Sequence, residues 1–526
     1  MAATASPPFD RAALGRFLAA AGEAERVAIS QPALLAGGAI RENWGFEAAF
    51  ADGRLAGRQP LVLRTDGSTG IASSLGRVEE FAVLRAAWAA GVRVSEPLFA
   101  CADPEVIGRP FFVMRRLGGT AQGRDITADP ALEPVLPDLA ARLGRELALI
   151  QTIRPPRRDL AFLPYLDAPA HITAFRAYLD RHEQPRPVLE WSVRWLETHL
   201  PERLPPVLCH RDFRTGNYMV APTLPSPASG GGSGWGLTGI LDWEFAGWGD
   251  PDEDIGWFCC KGWRFARLDR EAGGIADRAA FYEGYESAAG RRLDPARVRF
   301  WEVLANIRWA VIALQQADRV LLGGARDLAT AIIGRRAAEC ELELLMLLDD
   351  DPHPSLPRKR GRVRVGVAGG TPSVRNPARE QPSGAALAAL GGDWLIGELL
   401  PMVPAEHHRE LRLLATAIGI AEREAAAGDA PIREIEERLA AFYRCGGDGA
   451  SGTGPHPDPP PQAGEGRVGA SPPGPLFSRF ARDLRAGAFE ACGVRARAAR
   501  AILWCITIMK LREGNPSFLA ANGFGE

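Results

Sequence analysis

LCHRDFRTGNYMV, from Leu208 to Val220, and LTGILDWEFAGWGDPDEDIGW, from Leu237 to Trp257, are the stretches that decide the fold. Each sets polar residues between short apolar runs, the pattern of reactive loops carried on buried strands. Phosphoryl transfer to an alcohol needs a carboxylate to accept the hydroxyl proton and oxygen ligands to hold magnesium on nucleotide phosphates. Asp212 and Asn217 share one loop and Asp242 follows across a hairpin, so the three supply that set. YMV and LTGILDW are the expected strands, with residues 221–236 as a disordered insert at the hairpin tip. Lengthening a surface loop costs little closure entropy, so a tip tolerates such an insert.

The order His-Arg-Asp, four residues, Asn, then a strand ending in Asp resembles the protein-kinase catalytic core. The continuation DWE…GDPDEDIGW, in place of DFG…APE, is similar to the aminoglycoside and choline kinase group of small-molecule phosphotransferases. That resemblance implies an α+β, protein-kinase-like two-lobe fold, with a small β-rich N-lobe and a helical C-lobe. It implies Asp212 as catalytic base, His210 as the brace of its loop, and Asn217 and Asp242 as Mg2+ ligands. Asp250 and Asp254 match the GDPxxD segment, which in that family fastens the loop behind the site. ATP and Mg2+ are the cofactors it implies.

Toward the N-terminus, LLAGGAIRENW pairs Gly37 with Gly38 where a strand would turn over phosphates. The resemblance places a serine where Ile40 stands. Arg64 in LVLR takes the position of the kinase strand lysine and offers phosphate a positive, bidentate fork. VEEFAVLRAAWAA, from Val78 to Ala90, has apolar residues at helical spacing and ends before Gly91. Glu80 on that helix is the expected ion-pair partner of Arg64, with Glu79 as the alternative. Met114, closing the strand FFVM, is expected at the hinge beside the adenine.

The 526 residues correspond to about three folding units. With 62 basic and 64 acidic side chains the net charge is -2, which argues against a nucleic-acid partner held by a bulk basic field. Eight cysteines without a CxxC pair exclude a zinc ribbon and a disulfide framework. Scattered thiols, no signal-like N-terminus and no apolar run of about 18 residues lead to the expectation of a cytoplasmic protein without a membrane partner. Stretches rich in Pro, Gly, Ser and Arg cut the chain. The expected divisions are an N-terminal helical extension (1–29), an N-lobe (30–120), a C-lobe (121–350), a linker (351–377) and a small all-α accessory domain (378–526) interrupted by an insert (446–475). The last two Pro-rich stretches share a PHP start and a GRVRVG or GRVG core, as one repetitive element inserted more than once. His407 and His408, without further ligands at suitable spacing, read as a surface helix, and Cys259 and Cys260 as buried small hydrophobes. Trp263 and Arg264 fit either the acceptor pocket or the core.

Finer resemblance concerns the acceptor. GGAIRENW, LVLRTDG, FFVMRRLGG and HRDFRTGN…LDWEFAGWGDPDEDIGW are similar to the kinase branch associated with acyl-CoA dehydrogenases, over roughly residues 30–345. It implies the 4-hydroxyl of a 4-hydroxyacyl-CoA as acceptor and a functional link to an acyl-CoA dehydrogenase. The C-terminal segments resemble an uncharacterised helical domain found beside such kinases, which implies packing on the kinase domain. Two alternatives stand: an aminoglycoside or other small-alcohol phosphotransferase, and a catalytically weak pseudokinase or scaffold, suggested by Arg64 and Ile40. Cationic antibiotics call for an acidic cleft, whereas CoA phosphates call for Arg and Lys.

Overall fold

The computed structural model describes residues 9–35, 41–66, 74–223, 234–265, 267–323, 327–349, 384–444, 475–490 and 493–524. Its first sheet is antiparallel and contains β1 (Val27–Ile29), β2 (Ala33–Leu34), β3 (Arg41–Phe50), β4 (Gly57–Asp66), β5 (Pro97–Cys101) and β6 (Phe111–Arg115). The strand order is β1-β3-β4-β6-β5, with β2 also on β3. Side chains alternate across a strand, so LVLR and FFVM each split between two faces. Leu61, Leu63, Phe111 and Val113 join Leu14 and Leu18 of the helix Arg11–Ala21 in one core. Arg64 and its cross-strand neighbour Phe112 point the other way. There Phe112 packs with Val83, Leu84 and Ala87 of the helix Arg77–Ala89.

Beyond the sheet the chain turns helical. Helix Leu136–Ile150 crosses helix Arg278–Ala289 backbone to backbone. A Cβ at Gly284 would come within 1.9 Å of the Ala141 carbonyl oxygen, so only glycine allows that approach. Four short strands complete this part: β7 (Val207–Cys209), β8 (Tyr218–Thr223), β9 (Gly234–Ile240) and β10 (Gly247–Gly249). β7 pairs with β10, and β8 with β9, both antiparallel. A β-rich N-lobe followed by a helical lobe carrying these strand pairs is the protein-kinase-like arrangement.

The β8–β9 ladder runs from Tyr218 opposite Ile240 to Thr223 opposite Gly234, and residues 224–233 lie outside the described residues. β9 stops at Ile240, short of the expected LDW, because Asp242 adopts a left-handed φ of 65° that no strand accommodates. Since Thr223 and Gly234 already face each other, Asn-Gly in place of 224–233 should close the hairpin with melting temperature and turnover unchanged. A fall in either quantity would make the insert structural.

The chain forms two compact units, Met1–His171 with Leu200–Ala305, and Ile172–His199 with Asn306–Glu526. All the strands among the described residues lie in the first. In the second, helices from 172–199 and 306–349 share a helical core with those from 384–524, including Leu439, Phe480, Leu484, Leu503 and Ile506. Fully buried Glu341 receives Arg186 at 2.8 Å and Lys510 at 2.9 Å, tying together three segments distant in sequence. Burial and the Arg186 charge draw the Lys510 ammonium down to about 8, against the pull of Glu341. His407 and His408 sit at the surface where the helix His408–Ala427 begins, and His408 Nε2 meets the Val403 carbonyl at 2.8 Å. Among the described residues no group of three or more His, Cys, Asp or Glu is placed to hold a metal, and no helix is long and apolar enough to cross a membrane. The expected linker 351–377 and residues 446–474 of the expected insert lie outside the described residues, while Pro475, the last residue of that insert, instead opens the helix Pro475–Arg485.

Candidate active site

The loop between β7 and β8 is held from behind. Asp254, on the helix Glu253–Cys259, is fully buried and accepts the His210 N–H at 2.6 Å on Oδ2 and the Arg211 N–H at 2.7 Å on Oδ1. These bonds hold Arg211 at φ 63°, a left-handed conformation costing roughly 1–2 kcal/mol. Burial and neighbouring Glu253 push the Asp254 carboxyl up to about 7, against the two N–H groups. Arg297 fastens the preceding turn, donating to Asp250 at 2.8 Å and Asp252 at 2.9 Å.

His210 bridges the two motif stretches. Its Nε2 meets the Leu241 carbonyl at 2.9 Å and its Nδ1 accepts the Asp212 N–H at 3.2 Å, which assigns the proton to Nε2. Burial holds the imidazole below its usual range, so the ring braces the loop as a neutral group. Leu241 N–H donates to the Asn217 carbonyl at 2.8 Å, joining the segment that carries Asp242 to the Asp212 loop.

Asp212 accepts three donors. Trp257 Nε1 and Arg214 Nε each reach Oδ1 at 3.0 Å, and Asn217 Nδ2 reaches Oδ2 at 2.5 Å. Asn217 Nδ2 also donates to the Asp212 carbonyl at 2.9 Å. With its amide nitrogen so committed, Asn217 has its carbonyl oxygen to offer a cation. The Asp242 side chain is 30% exposed, and a second oxygen ligand there suits Mg2+, which takes one or two carboxylates plus phosphates rather than an all-protein cage. The donor chemistry therefore fits magnesium.

Arg64 reaches this set from β4. Its Nε lies 3.0 Å from Glu80, another of its nitrogens donates to Asn43 at 3.4 Å, and a third pairs with Asp242. Glu80, 2% exposed, also receives Arg77, while Glu79 lies against Gly76 at the helix start. Glu80 is thus the partner brought to Arg64. Burial opposes the charge on Arg64, but Glu80, Asp242 and Glu244 outweigh it and raise the guanidinium further. Burial would likewise raise Asp242, yet Arg64 overrides it and holds the carboxyl below its usual range.

Met114 lies on β6 opposite Val62 and Pro97, half-buried. Gly37, Gly38 and Ile40 fall outside the described residues. Trp257, Arg214, Asn43, Arg77 and Glu244 were not singled out from sequence. Trp257 closes the GDPDEDIGW run and Arg214 lies inside the first motif, so the signal was their place rather than their type. Trp263 stacks beneath Arg214, 4.7 Å from the guanidinium to the ring centre, and lies 5.1 Å from Trp257. Arg264 donates to the Cys259 carbonyl at 2.8 Å and the Leu268 carbonyl at 3.2 Å, bracing its own turn. Cys259 and Cys260 are buried, and burial pushes the Cys259 thiol up to about 12, leaving it unreactive.

This chain is similar to several known proteins. Acyl-CoA dehydrogenase family member 10 of Mus musculus is 29% identical over 214 residues, which are 39% of this chain and 18% of that protein. Acyl-CoA dehydrogenase family member 11 of Gallus gallus is 31% identical over 209 residues, 38% of this chain and 25% of that protein. The matches therefore span a quarter or less of these relatives. Among solved structures, a choline/ethanolamine kinase family protein from Mesorhizobium loti aligns with a TM-score of 0.39 and 19% identity, covering 61% of this chain and 89% of that one. A spectinomycin phosphotransferase aligns with a TM-score of 0.42 and 14% identity, covering 64% and 99%. The family model described as the phosphotransferase enzyme family matches residues 38–301, from just before β3 into the helix Pro295–Leu321, and so includes every described residue of the site above. With half of its length matched, the chain belongs to the phosphotransferase enzyme family.

Proposed function

We propose that the protein is an ATP-dependent small-molecule kinase whose acceptor is the 4-hydroxyl of a 4-hydroxyacyl-CoA. The observation that carries this reading is the convergence of Asp212, Asn217 and Asp242 with the Arg64–Glu80 pair. Asp212 takes the acceptor's hydroxyl proton as the oxygen bonds to the γ-phosphorus. The bond from that phosphorus to the β,γ-bridging oxygen breaks, and its electron pair leaves on ADP. When bound by Asn217 and Asp242, Mg2+ would neutralise charge on the nucleotide phosphates. Arg64, anchored by Glu80, contributes a buried cation beside Asp242, with a planar fork that suits phosphate.

Two observations support the acyl-CoA acceptor. Relatives sharing this region carry the name acyl-CoA dehydrogenase family member, in keeping with a functional link to such an enzyme. Arg214 sets a guanidinium directly on Asp212, which disfavours a cationic aminoglycoside beside the base and tolerates an anionic acceptor. The test is ATP consumption with Mg2+ against 4-hydroxyvaleryl-CoA, free 4-hydroxyvalerate and kanamycin in parallel. Turnover is expected with the CoA ester alone. Turnover with kanamycin alone would move the protein to antibiotic modification, and silence without nucleotide binding would leave the scaffold reading.

A further inference from the structure

The plane of a carboxylate is poorly fixed by packing, because its terminal torsion is broad and roughly two-fold. Hydrogen-bond donors must fix it instead. An ionised carboxylate has about four acceptor positions, two on each oxygen. On Asp212, Trp257 Nε1 and Arg214 Nε occupy both positions of Oδ1, each at 3.0 Å, and Asn217 Nδ2 occupies one of Oδ2 at 2.5 Å. One position on Oδ2 remains.

We propose that Trp257 is a positioning residue for Asp212, and that the acceptor's hydroxyl proton passes to Asp212 Oδ2. The inference rests on the reading of Asp212 as the base. Trp257 is 3% exposed and stands three residues after Asp254, one turn along the same helix face. A single helix of seven residues thus holds the backbone of the loop through Asp254 and the carboxylate of the base through Trp257. Both donors to Oδ1 lean on one ring, since Trp263 lies against Trp257 and beneath Arg214. A tryptophan that merely filled the core would not need its N–H. Losing that N–H removes one of the two donors on Oδ1 and loosens the plane of the carboxylate, so that Oδ2 is less firmly held toward the acceptor.

The experiment separates ring from N–H. Trp257→Phe keeps an aromatic ring, and β-(3-benzothienyl)alanine placed at 257 by nonsense suppression keeps the indole shape with sulfur for N–H. Transfer from ATP to 4-hydroxyvaleryl-CoA and acceptor-free ATP hydrolysis are measured with Mg2+, beside Asp212→Asn. Both Trp257 variants should lose kcat by about 10- to 100-fold with KM for ATP within about twofold of wild type, the signature of a misplaced group rather than lost binding. Wild-type kcat in the isostere beside an inactive Asp212→Asn would overturn the role of Trp257 alone. Wild-type kcat in Asp212→Asn would overturn the reading of Asp212 as well. If the wild type turns over neither substrate, the indole N–H resonance that Trp257→Phe removes decides the matter. It should lie downfield and move upfield in Asp212→Asn, and an unmoved resonance would overturn the proposal.

Discussion

Asp212→Asn is expected to lower turnover by about 10²- to 10⁴-fold while ATP still binds, the range supplied by a positioned general base. The amide keeps one oxygen for the donors now on Oδ1, so the loop retains most of its hydrogen bonds. Its NH2 group then faces Asn217 Nδ2, donor against donor, where the carboxylate had accepted at 2.5 Å. One unsatisfied contact of this kind costs about 1–3 kcal/mol, enough to lower the melting temperature by several degrees without unfolding the protein. Steady-state ATP consumption and calorimetric ATP titration read the two quantities separately. Turnover unchanged from wild type would remove Asp212 from the chemistry.

The second large effect belongs to Asp254, which touches neither the Asp212 carboxylate nor the Arg64 pair in the hydrogen bonds described. Asp254→Ala strips acceptors from two buried N–H groups at once, those of His210 and Arg211. At about 1–3 kcal/mol for each orphaned donor, the expected loss is about 2–6 kcal/mol. Asp254→Asn retains one acceptor and should lose about half as much. Turnover should fall in the same order, since Arg211 no longer has what holds its left-handed backbone and the loop can relax. Urea unfolding of both variants checks the grading. Equal stability for wild type, Asn and Ala would show that the loop is held by other contacts.

The strands LVLR and FFVM and the helix between them were legible in sequence because their patterns are local: alternation with period two, helical spacing, and a glycine at the stop. The same holds for the loop that brings Asp212 and Asn217 together, five residues apart, where short-range geometry leaves few alternatives. The sequence favoured Glu80 as the partner of Arg64 but kept Glu79 as an alternative. The sheet shows why it is Glu80 that meets Arg64, because the strand's alternation sends Arg64 to the face on which the helix presents Glu80.

Contacts between distant residues were not legible. Trp257 meets Asp212 across 45 residues and Arg64 meets Asp242 across 178, and no local period encodes either pairing. Asp242 itself reads as the end of a strand, yet it leaves the ladder in a left-handed turn imposed by the loop packed beside it. Lys510, Glu341 and Arg186 look like three unrelated surface charges in a linear reading, and become a buried triad once their helices share a core. Motif order, through the family resemblance it carries, and apolar periodicity were enough to name the fold and the candidate base, because both are written within a few residues. Which groups donate to Asp212, and which helices bury one another, emerged only in three dimensions, where chain folding juxtaposes side chains whose sequence separation carries no signal of their meeting.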